Sequence, residues 1–104
     1  MAKIEWSNHA LDMAEAIAQE AKLVYGKVVY NKLIDRIELL QHRLASMPRM
    51  GSKEEALAEE DGEFRFLIIN RRFKLVYEVI NDEHVLIIAV WDFRQDPRTM
   101  RYFL

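Results

Sequence analysis

The residues best placed for chemistry follow the most apolar run of the chain. Val85 to Trp91 is apolar at every position, and the sequence then turns to Asp92, Arg94, Asp96, Pro97 and Arg98. A strand that apolar is expected to be buried on both faces and central in a sheet. It therefore delivers carboxylates and guanidiniums to the sheet edge. Asp92 and Asp96 read most simply as partners of neighbouring arginines or as turn caps. Arg94 is the first functional candidate of this set. Trp91 and Phe93 read as a cap on the core, or as a stacking surface beside Arg94. Arg65 and Lys74 lie in alternating runs, where a solvent-facing position explains them as well as any binding role, and Arg71 and Arg72 fall in a polar break between strands.

Several chemistries lack their residues. His9, His42 and His84 are scattered, with no spacing that suggests a metal site. The chain has no Cys and only 3 Gly, so there is no thiol nucleophile, disulfide or glycine-rich phosphate loop. No metal or cofactor is expected. No apolar run approaches the roughly 20 residues that span a bilayer, and the N-terminus lacks a signal-peptide core. These features fit a cytoplasmic protein of one domain over residues 1–104. The net charge of −2 argues against a dedicated nucleic-acid binder. That acidity is local: residues 52–62 hold 1 basic and 5 acidic residues, against 14 and 12 in the rest of the chain.

The elements that must position these groups are legible from periodicity. Lys3 to Trp6 predicts a short strand, and Ser7 or Asn8 a helix N-cap. Ala10, Met13, Ala14, Ile17, Ala21 and Val24 recur at helical spacing over 9–24. Gly26 breaks that helix. Val29, Leu33, Ile37, Leu40, Leu44 and Met47 mark a second one from Lys27 to Met47, ended by Pro48. So short a break predicts an antiparallel helical hairpin. Residues 52–61 read as an irregular connection with a helical turn near Glu55 to Glu59. From Phe64 onward, the breaks Asn70-Arg71-Arg72 and Asn81-Asp82-Glu83 separate three strands. Tyr77 is in phase with Phe73, Leu75 and Val79 and is assigned to the core. The predicted class is α+β, in the order β-α-α-β-β-β, with the hairpin on one face of a small antiparallel sheet. The other face is expected to carry Arg65 and Lys74 toward solvent or a partner.

The order and content of these segments resemble the RelE/ParE superfamily of bacterial toxins. The resemblance covers nearly the whole chain. It rests on IEWSNHALDMAEAI, on Gly26 and the long helix ending in Met47-Pro48-Arg49-Met50-Gly51, on FRFLIINRRFKLVYEV with Phe73, Lys74 and Tyr77, and on VLIIAVWDFRQDPR. It implies the toxin of a type II toxin-antitoxin module of the plasmid-stabilisation kind, growth-inhibiting and neutralised by a co-expressed antitoxin. RelE-like members cut messenger RNA on the ribosome, whereas ParE-like members poison DNA gyrase without cutting. The two long helices and the Pro-x-x-Gly exit look more ParE-like.

For a nuclease, the resemblance implies Arg65 and Lys74 as phosphate ligands, Arg94 as transition-state stabiliser and Tyr102 as acid or stacking group, with Arg71, Arg72 and Arg98 as further RNA contacts. Such chemistry also needs a general base. Relatives of that kind place a second charged group two residues after the Arg65 position, and here it is Leu67. For a gyrase binder, the hairpin and the C-terminal strand edge would bind the target. A third reading is a partner-binding member that has lost toxicity. Expected partners are a cognate antitoxin, met by the hairpin and the strands around Phe73 to Tyr77, and gyrase or ribosome-bound mRNA as target. The chain would assemble as a homodimer or as a toxin-antitoxin hetero-oligomer. No membrane partner is expected.

Overall fold

A computed structural model describes residues 1–104. Its elements are β1 (Lys3–Trp6), α1 (Asn8–Glu20) continued by a π-helical turn (Ala21–Tyr25), α2 (Lys27–Ser46), β2 (Ser52–Lys53), a 3₁₀ turn (Glu55–Leu57), β3 (Phe64–Ile68), β4 (Phe73–Asn81), β5 (His84–Asp92) and a C-terminal 3₁₀ helix (Pro97–Phe103). The predicted α+β hairpin-on-sheet architecture is present. Ser7 caps α1, its hydroxyl accepting the Ala10 N–H at 3.1 Å. Gly26 makes the reversal into α2 at φ +92°, a backbone region that disfavours any Cβ.

The hairpin's inner stripe is Ala10, Ala21, Leu33, Ile37, Leu40 and Leu44, all buried. Met13, Ala14 and Ile17 of the predicted stripes are half-buried against it, and three more are exposed. Val24 is 65% exposed, because the wider π turn rotates it away from the phase that α1 sets. Val29 lines an open groove, and Met47 is past the last helical residue.

The sheet has five strands in the order β1-β5-β4-β3-β2. β1 runs parallel to β5 and the other pairings are antiparallel. β5 is interior as expected, although β4 is the middle strand. A register shift leaves Ile88 without a partner between Ile87 and Ala89. Val85, Ile87 and Val90 therefore face the helices, while Ile88, Ala89 and Trp91 face the other side. Both faces of β5 are buried, as its composition requires.

The sheet face away from the hairpin is not open, which corrects the expectation for Arg65 and Lys74. The Glu55–Leu57 turn and the C-terminal 3₁₀ helix cover it with Leu57 and Met100, which join Phe64, Val76, Ile88, Ala89 and Trp91 in a second core. Lys74 is on that face and buried. Arg65 is on the opposite face, paired in register with Tyr77 among the residues that meet the helices. Alternation separates the two cations by the thickness of the sheet, because an antiparallel pair shares one side and Lys74 is three residues from Tyr77.

Candidate functional site

The predicted site residues fall into three separate settings. Arg65 belongs to a latch between β3 and the exit from α2. Its Nη1 donates to the Gly51 carbonyl at 2.8 Å, and its Nε donates to Glu63 at 2.9 Å. The Gly51 N–H in turn donates to the Tyr77 phenol oxygen at 3.0 Å. A Cβ on Gly51 would lie 2.5 Å from the Phe66 carbonyl oxygen, so only glycine fits. Burial raises the Tyr77 phenol above its ordinary pKa. Glu63 also accepts from Arg49, and these arginines, Arg65 first, hold its carboxyl below the usual range. Tyr77 is the core residue that its phase predicted.

Lys74 occupies the second setting. Its ammonium meets the Glu54 carboxylate at 2.5 Å, and both side chains are almost wholly buried. The same ammonium lies 4.6 Å from the centre of the Phe66 ring and 5.6 Å from that of Phe93. Glu54 is a functional candidate that sequence reasoning missed. It sits in an acidic run that composition marks only as solvated, and nothing local distinguishes it from Glu55.

The third setting is the end of β5. Asp92 accepts from Arg94 Nη2 at 2.9 Å, from the Arg94 N–H at 2.8 Å and from Arg72 Nε at 3.1 Å. These bonds, the Arg94 side chain first, hold the Asp92 carboxyl far below the ordinary carboxylate range. Arg72 continues to Glu20 on α1 at 3.0 Å and covers the Phe73 ring. Arg98 folds back on Asp96, whose carboxyl also accepts the Arg98 N–H. The structure thus brings Arg72 and Arg94 together through Asp92 and leaves Arg65 and Lys74 elsewhere. Arg71 is exposed, and Tyr102 is exposed with Arg101 against its ring. The carboxyl that burial raises, Glu78, is opposite Phe64, four residues along β4 from Lys74.

A groove of about 520 Å³ opens between the hairpin and the β3–β4 turn. Ile17, Val29, Leu33, Ile69 and Phe73 give it an apolar floor, and Lys32, Arg36 and Arg72 stand at its edge with Glu20. Leu23, Val24, Tyr25 and Val28 extend the apolar surface along the hairpin tip at 58–80% exposure. No three His, Cys, Asp or Glu side chains gather as a metal would require. No helix is long and apolar enough to cross a membrane.

An antiparallel helical hairpin on a sheet of this kind recurs in solved structures. The chain is similar to the chromosomal ParDE toxin-antitoxin system of P. aeruginosa, with a TM-score of 0.68 and 19% identity over 88% of this chain and 96% of that one. It is also similar to the YoeB dimer of Staphylococcus aureus, with a TM-score of 0.64 and 21% identity over 90% and 98%. No relative was found among curated proteins. Residues 4–97 match the family model for the ParE toxin of type II toxin-antitoxin systems, parDE. The chain belongs to that family, within the RelE/ParE superfamily. It is the toxin of a type II pair, whose partner is a cognate antitoxin.

Proposed function

We propose that this toxin acts by binding a protein target, DNA gyrase, and breaks no bond itself. One observation carries the reading. Of the cations that RNA cleavage would call on, Arg65, Arg72, Lys74, Arg94 and Arg98 each already have a carboxylate partner within the chain, and Arg71 alone stands exposed without one. Charge that builds on a phosphate in a transition state is stabilised by preorganised donors aimed at it. Donors already paired with resident carboxylates must first give up those partners, so they are not preorganised for that. Leu67 supplies neither acid nor base, and Tyr102 has only Arg101 as a polar neighbour. The groove between hairpin and β3–β4 turn receives an antitoxin segment, in the helix-in-groove or added-strand manner.

Induced expression in a bacterial host, with growth, message and chromosome followed together, tests this. Growth arrest with DNA damage and intact message is the expected result. Rapid message cleavage would instead establish the ribosome-dependent endoribonuclease, a reading that draws on Lys74 between two aromatic rings. That activity would be lost on substituting Arg65, Lys74, Arg94 or Tyr102. Unimpaired growth would leave the inactive, partner-binding alternative.

A further inference from the structure

Strand β1 is the free end of the sheet. The Lys3 N–H donates to the Glu83 carbonyl at 2.8 Å, and the Ser7 N–H donates to that of Ile87 at 2.9 Å. Peptide groups alternate in direction along a strand, so those of Ile4 and Trp6 point outward, away from β5. Outside the sheet ladder neither has a backbone partner. An open edge of this kind is a template for another strand unless its side chains forbid the pairing. Ile4 and Trp6 pack under the hairpin, which leaves Lys3 and Glu5 exposed on the other face. Charges of a single sign there would repel an identical strand. Here the signs alternate, with Lys3 Nζ 3.8 Å from Glu5 Oε1.

We propose that β1 pairs with β1 of a second copy of this chain, antiparallel about a two-fold axis at Ile4, so that the two sheets become continuous. In that register the outward N–H and C=O of Ile4 exchange both bonds with those of Ile4 in the other copy. Lys3 of each copy then stands directly opposite Glu5 of the other. Sliding one copy by two residues in either direction sets Lys3 against Lys3 or Glu5 against Glu5. Sliding by one sets Ile4 against Lys3 or Glu5, whose peptide groups face β5. The charge pattern therefore selects a single register, and that register is self-complementary as a two-fold contact must be. More surface joins it. An open hollow of about 550 Å³ beside the strand is lined by Ile4, Glu38, Gln41, His42 and Ala45. The Ala2 N–H donates to the Ala45 carbonyl at 2.7 Å, which brings the exposed Met1 and Met47 to the same edge. Strand β1 contributes no residue to the groove between the hairpin and the β3–β4 turn. The pairing is thus separate from the antitoxin site and does not depend on gyrase being the target.

Sedimentation velocity of the full-length chain tests the pairing, with wild type expected to dimerise with a Kd below about 100 µM, as suits a small interface. Lys3→Glu and Glu5→Lys each oppose like charges on both sides of the axis and are each expected to weaken dimerisation at least about tenfold. An equimolar mixture of the two variants restores opposite charges, as does the chain carrying both substitutions, and each is expected to dimerise as wild type does. Net charge alone would move the two single variants in opposite directions, so weakening in both is the mark of the register. Hydrogen exchange gives a second reading on wild type. The Ile4 amide is expected to slow as concentration rises past Kd, whereas the Lys3 amide, bonded to Glu83 within one copy, is not. A wild type that stays monomeric at about 100 µM, a dimer indifferent to either single substitution, or a mixture that stays monomeric overturns the proposal. Should a variant fail to fold, the exchange measurement decides, and an Ile4 amide indifferent to concentration refutes the pairing.

Discussion

Tyr77→Phe isolates one atom whose role the structure defines closely. The phenol oxygen accepts the Gly51 N–H at 3.0 Å, and both residues are buried. Phenylalanine keeps the ring and its packing but leaves that N–H unpaired where water does not reach it. A buried donor without a partner costs about 1–3 kcal/mol. For a chain of this length that lowers Tm by about 5–15 °C. Urea unfolding followed by Trp fluorescence and far-UV CD should show a lower midpoint with an unchanged m value, because the surface exposed on unfolding is the same. The pH dependence supplies a second check. Burial raises the folded phenol pKa above its unfolded value of about 10. The stability tied to the neutral phenol is therefore complete below that value and is lost as pH rises through the folded pKa. Tyr77→Phe should lose less stability than wild type as pH rises above about 10. Gly51→Ala, whose Cβ would meet the Phe66 oxygen at 2.5 Å and the Tyr77 oxygen at 2.7 Å, should be less costly when combined with Tyr77→Phe. A Tyr77→Phe protein with wild-type midpoint and alkaline limb would refute the latch.

Other variants separate structural from functional roles. Lys74→Met alone should lose about 3 kcal/mol by stranding Glu54, and Lys74→Met with Glu54→Leu should regain most of it; additive losses in the double-mutant cycle would disprove their coupling. Acidification should weaken the fold below about pH 5, as the unfolded carboxylates take up protons that Asp92 and Glu63 resist in the folded state. Asp92→Asn should flatten that acid limb in pH-dependent urea melts, and an unchanged limb would count against the Arg72–Asp92–Arg94 bonds. Arg94→Ala should lower Tm by no more than about 5 °C, since its side chain is mostly exposed, yet weaken growth arrest on expression; full toxicity would remove Arg94 from the target surface. Val29→Asp places a charge on the groove floor beside Leu33 and should leave growth arrest intact while co-expressed antitoxin no longer relieves it. Continued relief would move the antitoxin elsewhere.

The chain's local patterns settled its elements. Apolar residues three and four apart made the hairpin, Gly26 and Pro48 bounded it, and β-rich runs with polar breaks made β3, β4 and β5. The order of those segments, with the Met47–Gly51 exit, was enough to identify the superfamily. The phase of Tyr77 placed it in the core without knowledge of Gly51. What sequence periodicity could not carry was anything set by a non-local partner. The unpaired Ile88 changes which residues of β5 face the helices, and only strand register reveals it. Arg65 and Lys74 looked alike as cations on alternating strands, but the pairing of β3 with β4 sends them to opposite faces. Glu54 became a buried partner because the connection after β2 crosses the second face, a path that its polar composition does not encode. Helix and strand follow from nearest neighbours along the chain, whereas the fate of each charge follows from what burial brings against it. That is the physical reason the sequence determined the toxin fold and its list of cations, while only the tertiary structure decided that all of those cations but Arg71 are already paired.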